Sequence, residues 1–386
     1  MEKNILVVNI GSTSKKYSLY RGEDLLLSAH FEKDKEKFDV TYTNEEAEEI
    51  SEEIYINSLS VFREFIRNNS YISDSTPLTA VGVRLVAPGE YFTQDHRVDV
   101  DFLQKLDAVA KKDLAHIGSV QTEMVSIQAL FPNIKLFAIS DSFFHSEMPE
   151  MAKTYAIPKK IAQDYDIYRF GFHGISVASI IDKLSKIEGG LPSRIIVCHL
   201  GGGASMTAVE NGKSIDTSMG HSPLEGLVMS SRVGNIGVGA VLDLLGNHSV
   251  SDLERIFYKE SGLLAVSELS DDMRILLDND KEGHVGAHKA VETFIYNVRK
   301  YIGAYSAIMG GIDALIFSGT IGERSFILRE RICRNLSFLG FSLDNEKNNV
   351  AGDMANISHH DSKPIYVTHT DESKEILKRT IHNSNN

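Results

Sequence analysis

The sequence is poor in the features that mark several protein classes. Two cysteines in 386 residues, Cys198 and Cys333, cannot build a disulfide framework. Cys198 lies in an apolar, strand-like run where a buried, reduced thiol is expected. No apolar stretch approaches the ~18 to 20 residues that span a bilayer, and the first residues carry neither the apolar core nor the cleavage site of a signal peptide. A cytoplasmic protein with no membrane association is expected. Positive charge is also short: 40 Lys and Arg against 53 Asp and Glu leave a formal charge of −13. A nucleic-acid surface needs a basic stripe that displaces phosphate counterions, so nucleic acid is not expected as a partner. Twelve of the acids, with three lysines, lie between Glu23 and Glu53. A solvated hairpin followed by the polar face of a helix capped at Asn44 accounts for them.

The common nucleotide and hydrolase signatures are missing too. Gly212-Lys213-Ser214 looks like the end of a Walker A loop, but Thr207 stands where its first glycine belongs, and no Gly-x-Gly-x-x-Gly follows the first strand. There is no Gly-x-Ser-x-Gly elbow and no zinc-type ligand spacing, and the His359-His360 pair reads as surface.

What is present is an alternation of strands, glycine-rich loops and helices. The length suggests two domains, and 42% hydrophobic with 24% charged residues is ordinary for a globular protein. Ile5 to Val8 runs into Asn9-Ile10-Gly11-Ser12-Thr13-Ser14, and a hairpin follows around Arg21 to Asp24. Ile195 to Cys198 runs into His199-Leu200-Gly201-Gly202-Gly203, again followed by a hairpin. Val7-Val8-Asn9-Ile10-Gly11 thus matches Val197-Cys198-His199-Leu200-Gly201 in position, a weak long-period repeat that suggests two related α/β domains. Further on, Val291, Phe294, Ile295, Val298, Ile302 and Tyr305 form a helical stripe ending at Gly310-Gly311, and Ala314 to Phe317 reads as a strand entering Gly319-Thr320-Ile321-Gly322. A last strand, Ile365 to Thr368, ends before Asp371-Glu372.

Strand ends of this kind carry ligands in α/β folds. Loops of Gly, Ser and Thr offer backbone N–H groups and short hydroxyls to a phosphate, and the three such loops, the first with Lys16, point together to an anionic ligand. Arg84, in the apolar run Val81 to Val86, needs a partner; an internal salt bridge and a carboxylate- or phosphate-binding role account for it equally. Arg232 lies among small residues that leave room for a substrate. His116 and His173 have apolar or small neighbours, a setting more often filled by a core histidine than by a catalyst. Asp141 follows the apolar Leu136 to Ile139, where it either caps the next segment or, like Glu372, holds a hard cation with substrate phosphates.

In order and approximate spacing, Asn9 to Lys16, Phe170-Gly171-Phe172-His173-Gly174, His199-Leu200-Gly201, Thr217 to Gly220 with Pro223-Leu224-Glu225-Gly226, and Lys259 to Gly262 resemble acetate kinases. The resemblance runs from Ile5 to about Glu375. It implies the acetate and sugar kinase, Hsp70 and actin superfamily: an α/β chain of two duplicated actin-like (ribonuclease H-like) domains with a cleft between them. Residues 1–144, joined by 372–386, would form the first, and 145–371 the second, nucleotide-binding one. The activity implied is reversible, Mg²⁺-dependent transfer of the ATP γ-phosphoryl group to a short carboxylic acid, in a homodimer. Carried over by position, Arg84 grips the substrate carboxylate, Arg232, His173 and His116 face the phosphoryl group, and Asp141 is the acid/base or metal-side carboxylate. Asn9 and Glu372 join it on Mg²⁺. Lys16, Ser12, Ser14, His199, Gly201, Gly202 and Gly203 touch nucleotide phosphates. Asp272, Met273 and Arg274, with Thr320, Ile321, Gly322, Glu323 and Arg324, surround the adenosine, and Val86, Ala115, Phe172 and Pro223 line the pocket for the acid's alkyl end. Lys16, Arg84, Arg232, Arg274 and Arg324 would make that cleft locally positive.

The sequence departs from the family pattern at Val83, Ala87, Ile117, Gly202, Gly237, Thr320 and Arg324. The changes leave open another donor, such as pyrophosphate or a different nucleotide, and a non-catalytic, ligand-binding relative. Ala115 in place of a usual leucine leaves room for propionate or butyrate.

Overall fold

The computed structural model describes residues 3–11, 14–34, 36–43, 45–110, 114–187 and 189–385, with the side chains of 114–116 outside the description. Its internal contacts divide the chain into two compact units, Met1–Phe143 with Asp371–Asn386, and Phe144–Thr370.

In the first unit, strands β1 (Asn4–Ile10), β2 (Ser14–Arg21), β3 (Asp24–Asp34), β4 (Lys37–Tyr42), β5 (Glu48–Glu49), β6 (Leu78–Leu85), β7 (His96–Arg97) and β8 (Lys135–Ser140) form one sheet in the order β5-β4-β3-β2-β1-β6-β8-β7. β1 pairs antiparallel with β2, from Asn4 opposite Arg21 to Ile10 opposite Lys15, and parallel with β6 on its other edge. Six of its seven residues are buried, the near-continuous apolar reading of a strand covered on both faces. The helix Glu372–Asn385 returns to pack on β1, β6 and β8.

In the second unit, β9 (Arg194–Leu200), β10 (Ala204–Glu210), β11 (Lys213–Thr217), β12 (Ala314–Ser318), β13 (Ala355–Asn356) and β14 (Ile365–Val367) lie in the order β11-β10-β9-β12-β14-β13. Two successive antiparallel hairpin partners precede two parallel neighbours, as in β3-β2-β1-β6-β8. The repeat seen in the sequence is therefore a repeat of topology. Ile195 and Val197 pack with Val177, Ile180 and Leu184 of the helix Gly174–Leu184, and the period of two sends Ile196 and Cys198 to the opposite face. The stripe Val291, Phe294, Ile295, Val298, Ile302 and Tyr305 is buried on the helix Val285–Ile308, each such side chain adding ~1.5 to 3 kcal/mol.

One element differs from expectation. Asn44 lies outside the described residues, and no helix runs from 45 to 51: Glu48 and Glu49 pair with β4, and helix begins only at Glu52, where the Ser51 hydroxyl accepts from Ile54 N. It breaks at Asn57 before a second helix, Ser58–Asn68. A short edge pairing outcompeted the helical spacing. Both cysteines are free and buried, and burial pushes both thiols up, Cys333 to about 12. Among the described residues no helix is long and apolar enough to cross a membrane.

Candidate active site

In the first unit the ends of the parallel strands gather four polar side chains. Asn9 is the penultimate residue of β1, Arg84 the penultimate residue of β6, and Asp141 follows β8, its amide donating to Leu85 O at 2.9 Å. Arg84 Nη2 donates to Asp141 Oδ2 at 3.0 Å, and Nη1 lies 3.4 Å from Asn9 Oδ1 and 3.8 Å from Glu372 Oε2. Asn9 Nδ2 in turn donates to Glu372 Oε2 at 2.7 Å. Burial would lower the pKa of Arg84, but Asp141 and Glu372 raise it above its ordinary value and keep it charged. Asp141 is fully buried and pairs with that guanidinium. Arg84 Nε is buried and has no hydrogen-bond acceptor among the described residues. A guanidinium with one buried N–H left over is poised for a further anionic oxygen.

Lys16 sits on β2 directly opposite Asn9, on the same face, and is exposed. Ser14 O accepts from Gly11 N at 2.8 Å, closing the loop between β1 and β2. Val86 is half-buried just past β6. Ser12 and the side chains of Ala115 and His116 lie outside the described residues. Two carboxylates and an amide oxygen form the hard-oxygen donor set that Mg²⁺ takes, with water completing its shell.

The second unit supplies another convergence. His173 has a left-handed backbone, φ 60°, as it starts the helix Gly174–Leu184. Its Nδ1 is 3.0 Å from Ser205 Oγ, and its ring meets that of His199 edge-on at 4.8 Å. His199 Nδ1 lies 3.1 Å from Ser318 Oγ. Gly203 closes the loop after β9 by accepting from Gly201 N at 3.1 Å. A side-chain carbon there would stand 3.5 Å from the His173 ring and 3.7 Å from Arg232 Nη1, so both groups border the same small space. Arg232 Nη1 donates to Pro223 O at 3.4 Å, and Pro223 and Phe172 are buried. At Gly319, φ is +75° and a side-chain carbon would strike the backbone of Leu200, so only glycine lets these two loops meet.

Beside these loops lies a cavity of about 550 Å³. Of the residues expected around an adenosine, Asp272, Met273, Arg274, Thr320, Ile321 and Arg324 line it, with Gly202. Gly322 is buried, and Glu323 gives its carboxylate to Gly319 N, at 2.9 Å, and to His369. Sequence reasoning missed Leu277, Asp278, Phe326 and Ile327, which also line the cavity. It missed Ser205 and Ser318 as supports, and the buried His145, which joins Ser214 Oγ at 2.8 Å to Phe172 O at 3.1 Å. Alternation along β10 was the one signal for Ser205. The expected positive field is reduced, because Arg84 holds two carboxylates and Arg274 holds Asp272 at 2.5 Å. His359 and His360 are exposed, as expected, and with Asp361 bring three donor atoms within 4.8 Å of one another in a surface turn.

The pattern of the Acetokinase family matches residues 4–378. The chain belongs to the acetokinase family. An acetate kinase of Bacteroides thetaiotaomicron is 35% identical to this chain over 394 residues, covering 98% of each. Among solved structures, a propionate kinase from Francisella tularensis aligns with a TM-score of 0.89 at 31% identity, covering 98% of this chain and 99% of that one. The acetate kinase of Porphyromonas gingivalis aligns with a TM-score of 0.86 at 31% identity, over 98% and 99%. These full-length likenesses agree with the α/β fold class expected from the sequence.

Proposed function

We infer that this protein is an acetate kinase-type phosphotransferase, which reversibly moves the γ-phosphoryl group of ATP to the carboxylate of acetate or another short-chain acid, giving an acyl phosphate and ADP. The observation that carries the reading is the grouping of Asn9, Arg84, Asp141 and Glu372 at adjoining strand ends, with a buried Arg84 N–H left for an incoming oxygen.

A carboxylic acid is already ionised at neutral pH, so no strong base is needed. One carboxylate oxygen forms a bond to phosphorus as the bond to the β-phosphate oxygen breaks, and catalysis rests on alignment and charge. In this proposal Arg84 holds the carboxylate, and Val86, Ala115, Phe172 and Pro223 enclose the alkyl end. Arg232, His173 and His116 donate to the equatorial oxygens of the moving group. Asn9, Asp141 and Glu372 hold Mg²⁺, which when bound neutralises charge on the phosphate oxygens. Lys16, Ser12, Ser14 and the 199–203 loop take the nucleotide phosphates, and the second unit takes the nucleoside. A cavity of about 550 Å³ with Met273, Leu277, Ile321 and Phe326 on its walls suits a nucleoside better than pyrophosphate, which has no apolar part to bury.

Assembly as a homodimer is part of the proposal. The helix Val238–Leu245 buries none of its residues; Val238 and Leu242 are 74% and 63% exposed, and Ile236, Leu245 and Val250 nearby in the chain are exposed too. A cytoplasmic setting, which keeps the two free thiols reduced, completes it. The test is a panel of acetate, propionate and butyrate against ATP, GTP and pyrophosphate with Mg²⁺, trapping acyl phosphate as the hydroxamate. Product with a nucleotide donor supports the reading; nucleotide binding with no product from any pair overturns it.

A further inference from the structure

Glu323 lies in the short helix Gly319–Arg324, part of the segment expected to meet the nucleotide, yet both of its carboxylate oxygens are engaged within the protein. Oε1 accepts from the amide of Gly319, the left-handed residue at the start of that helix, and Oε2 accepts from His369 Nδ1. His369 is held at two further points. Its amide donates to Asp353 Oδ1 at 2.8 Å, and its carbonyl accepts from Lys183 Nζ at 2.9 Å. Lys183 and Asp353 are themselves paired at 2.8 Å, and Thr368 Oγ1 donates to the same carboxylate. Burial opposes the charge on Asp353, but these donors bring its pKa down to about 2. The last residues of the second unit are thus fastened through backbone and side chain. Two residues on, Asp371 caps the helix that begins at Glu372, its Oδ1 accepting from Lys374 N at 3.0 Å.

We propose that Glu323 and His369 are positioning residues that tie the short helix Gly319–Arg324 to the chain leading into Glu372, so that filling the donor cavity orders the first turn of the helix carrying that carboxylate. The physical basis is continuity. The Gly319 amide, the Glu323 carboxylate and the His369 ring are joined by hydrogen bonds, and two peptide links lead from His369 to the Asp371 cap. Immobilising the helix Gly319–Arg324 therefore restricts the positions open to Glu372. The proposal rests on the phosphotransferase reading only in taking the cavity as the nucleotide site.

The test compares the full-length protein with His369→Ala and His369→Asn. Both variants keep the backbone anchors to Asp353 and Lys183. Only asparagine places a side-chain N–H the same number of bonds from the backbone. Amide hydrogen exchange is followed with and without ADP, together with acyl phosphate formation. ADP is expected to protect the helix Gly319–Arg324 in all three proteins. It should slow exchange at Lys374 and Glu375 roughly tenfold, an ordinary coupling magnitude, in the wild type and His369→Asn but not in His369→Ala. In His369→Ala, kcat should fall with the KM for ATP unchanged. Equal protection at Lys374 and Glu375 in His369→Ala and wild type overturns the coupling and leaves the kinase reading intact. A helix that ADP does not protect in any of the three overturns the donor-site assignment, and the coupling with it.

Discussion

The sharpest test of the phosphoryl site is a single methyl group. Gly203 has no left-handed backbone requirement, and its missing side chain leaves a gap bordered by the His173 ring at 3.5 Å and Arg232 Nη1 at 3.7 Å. Those are ordinary van der Waals separations, so Gly203→Ala introduces no clash. Stability should hold or rise by ~0.4 to 1 kcal/mol, because alanine restricts the unfolded chain more than glycine does. Catalysis should suffer. The methyl group fills the space in which the moving phosphoryl group must meet both donors, and a displacement of about 1 Å is enough to lose roughly 100-fold. Loss of one charge-assisted hydrogen bond, ~1.5 to 3 kcal/mol, leads to a similar figure of roughly 10- to 150-fold in kcat. The measurements are kcat by hydroxamate trapping and the thermal unfolding midpoint by calorimetry. Activity within threefold of wild type, at an unchanged midpoint, would refute the placement of the phosphoryl group between His173 and Arg232. A lowered midpoint would refute the packing argument.

Four further outcomes are expected. Arg232→Ala should abolish turnover while nucleotide affinity measured by calorimetry changes little, since the side chain is assigned to the transferring group. If Ala115 opens the acid pocket, kcat/KM for propionate or butyrate should exceed that for acetate by ~1 to 2 kcal/mol, roughly 5- to 30-fold; a strong preference for acetate would count against it. Glu123 is buried beside Tyr17 and Lys15, and burial raises its pKa against the pull of both partners. The folded protein therefore binds that proton more tightly than the unfolded chain does, and the group costs stability as pH rises above its ordinary 4.5. Glu123→Gln should raise the unfolding midpoint at pH 7, with the gain fading as pH falls toward 4.5. Finally, Leu242→Asp should convert a dimer to monomer in light scattering if the exposed face of Val238–Leu245 is the contact; an unchanged mass would place the interface elsewhere.

The sequence by itself determined the strands that end in glycine-rich loops, the buried stripe from Val291 to Tyr305 and the repeat between Asn9 and His199. Each is written in a local pattern, because side-chain periodicity reports which face a segment hides and glycine reports where the backbone must turn. It also carried the identity of the family, through motifs spread from Asn9 to Gly262. What it left open at Arg84 was a choice between a salt bridge and an anion site, and only the tertiary structure showed the salt bridge. Its two terminal nitrogens serve Asp141 and the Asn9 and Glu372 pair, while the buried Nε has no acceptor among the described residues. The same is true of Glu323, whose position in a glycine-containing segment gave no sign that His369 would claim it, and of the Glu48–Glu49 pairing that displaced a helix beginning near Asn44. Compensation of charge and edge pairing depend on distances between segments far apart in the chain. Those distances are set by how the sheets assemble, and a one-dimensional pattern does not contain them.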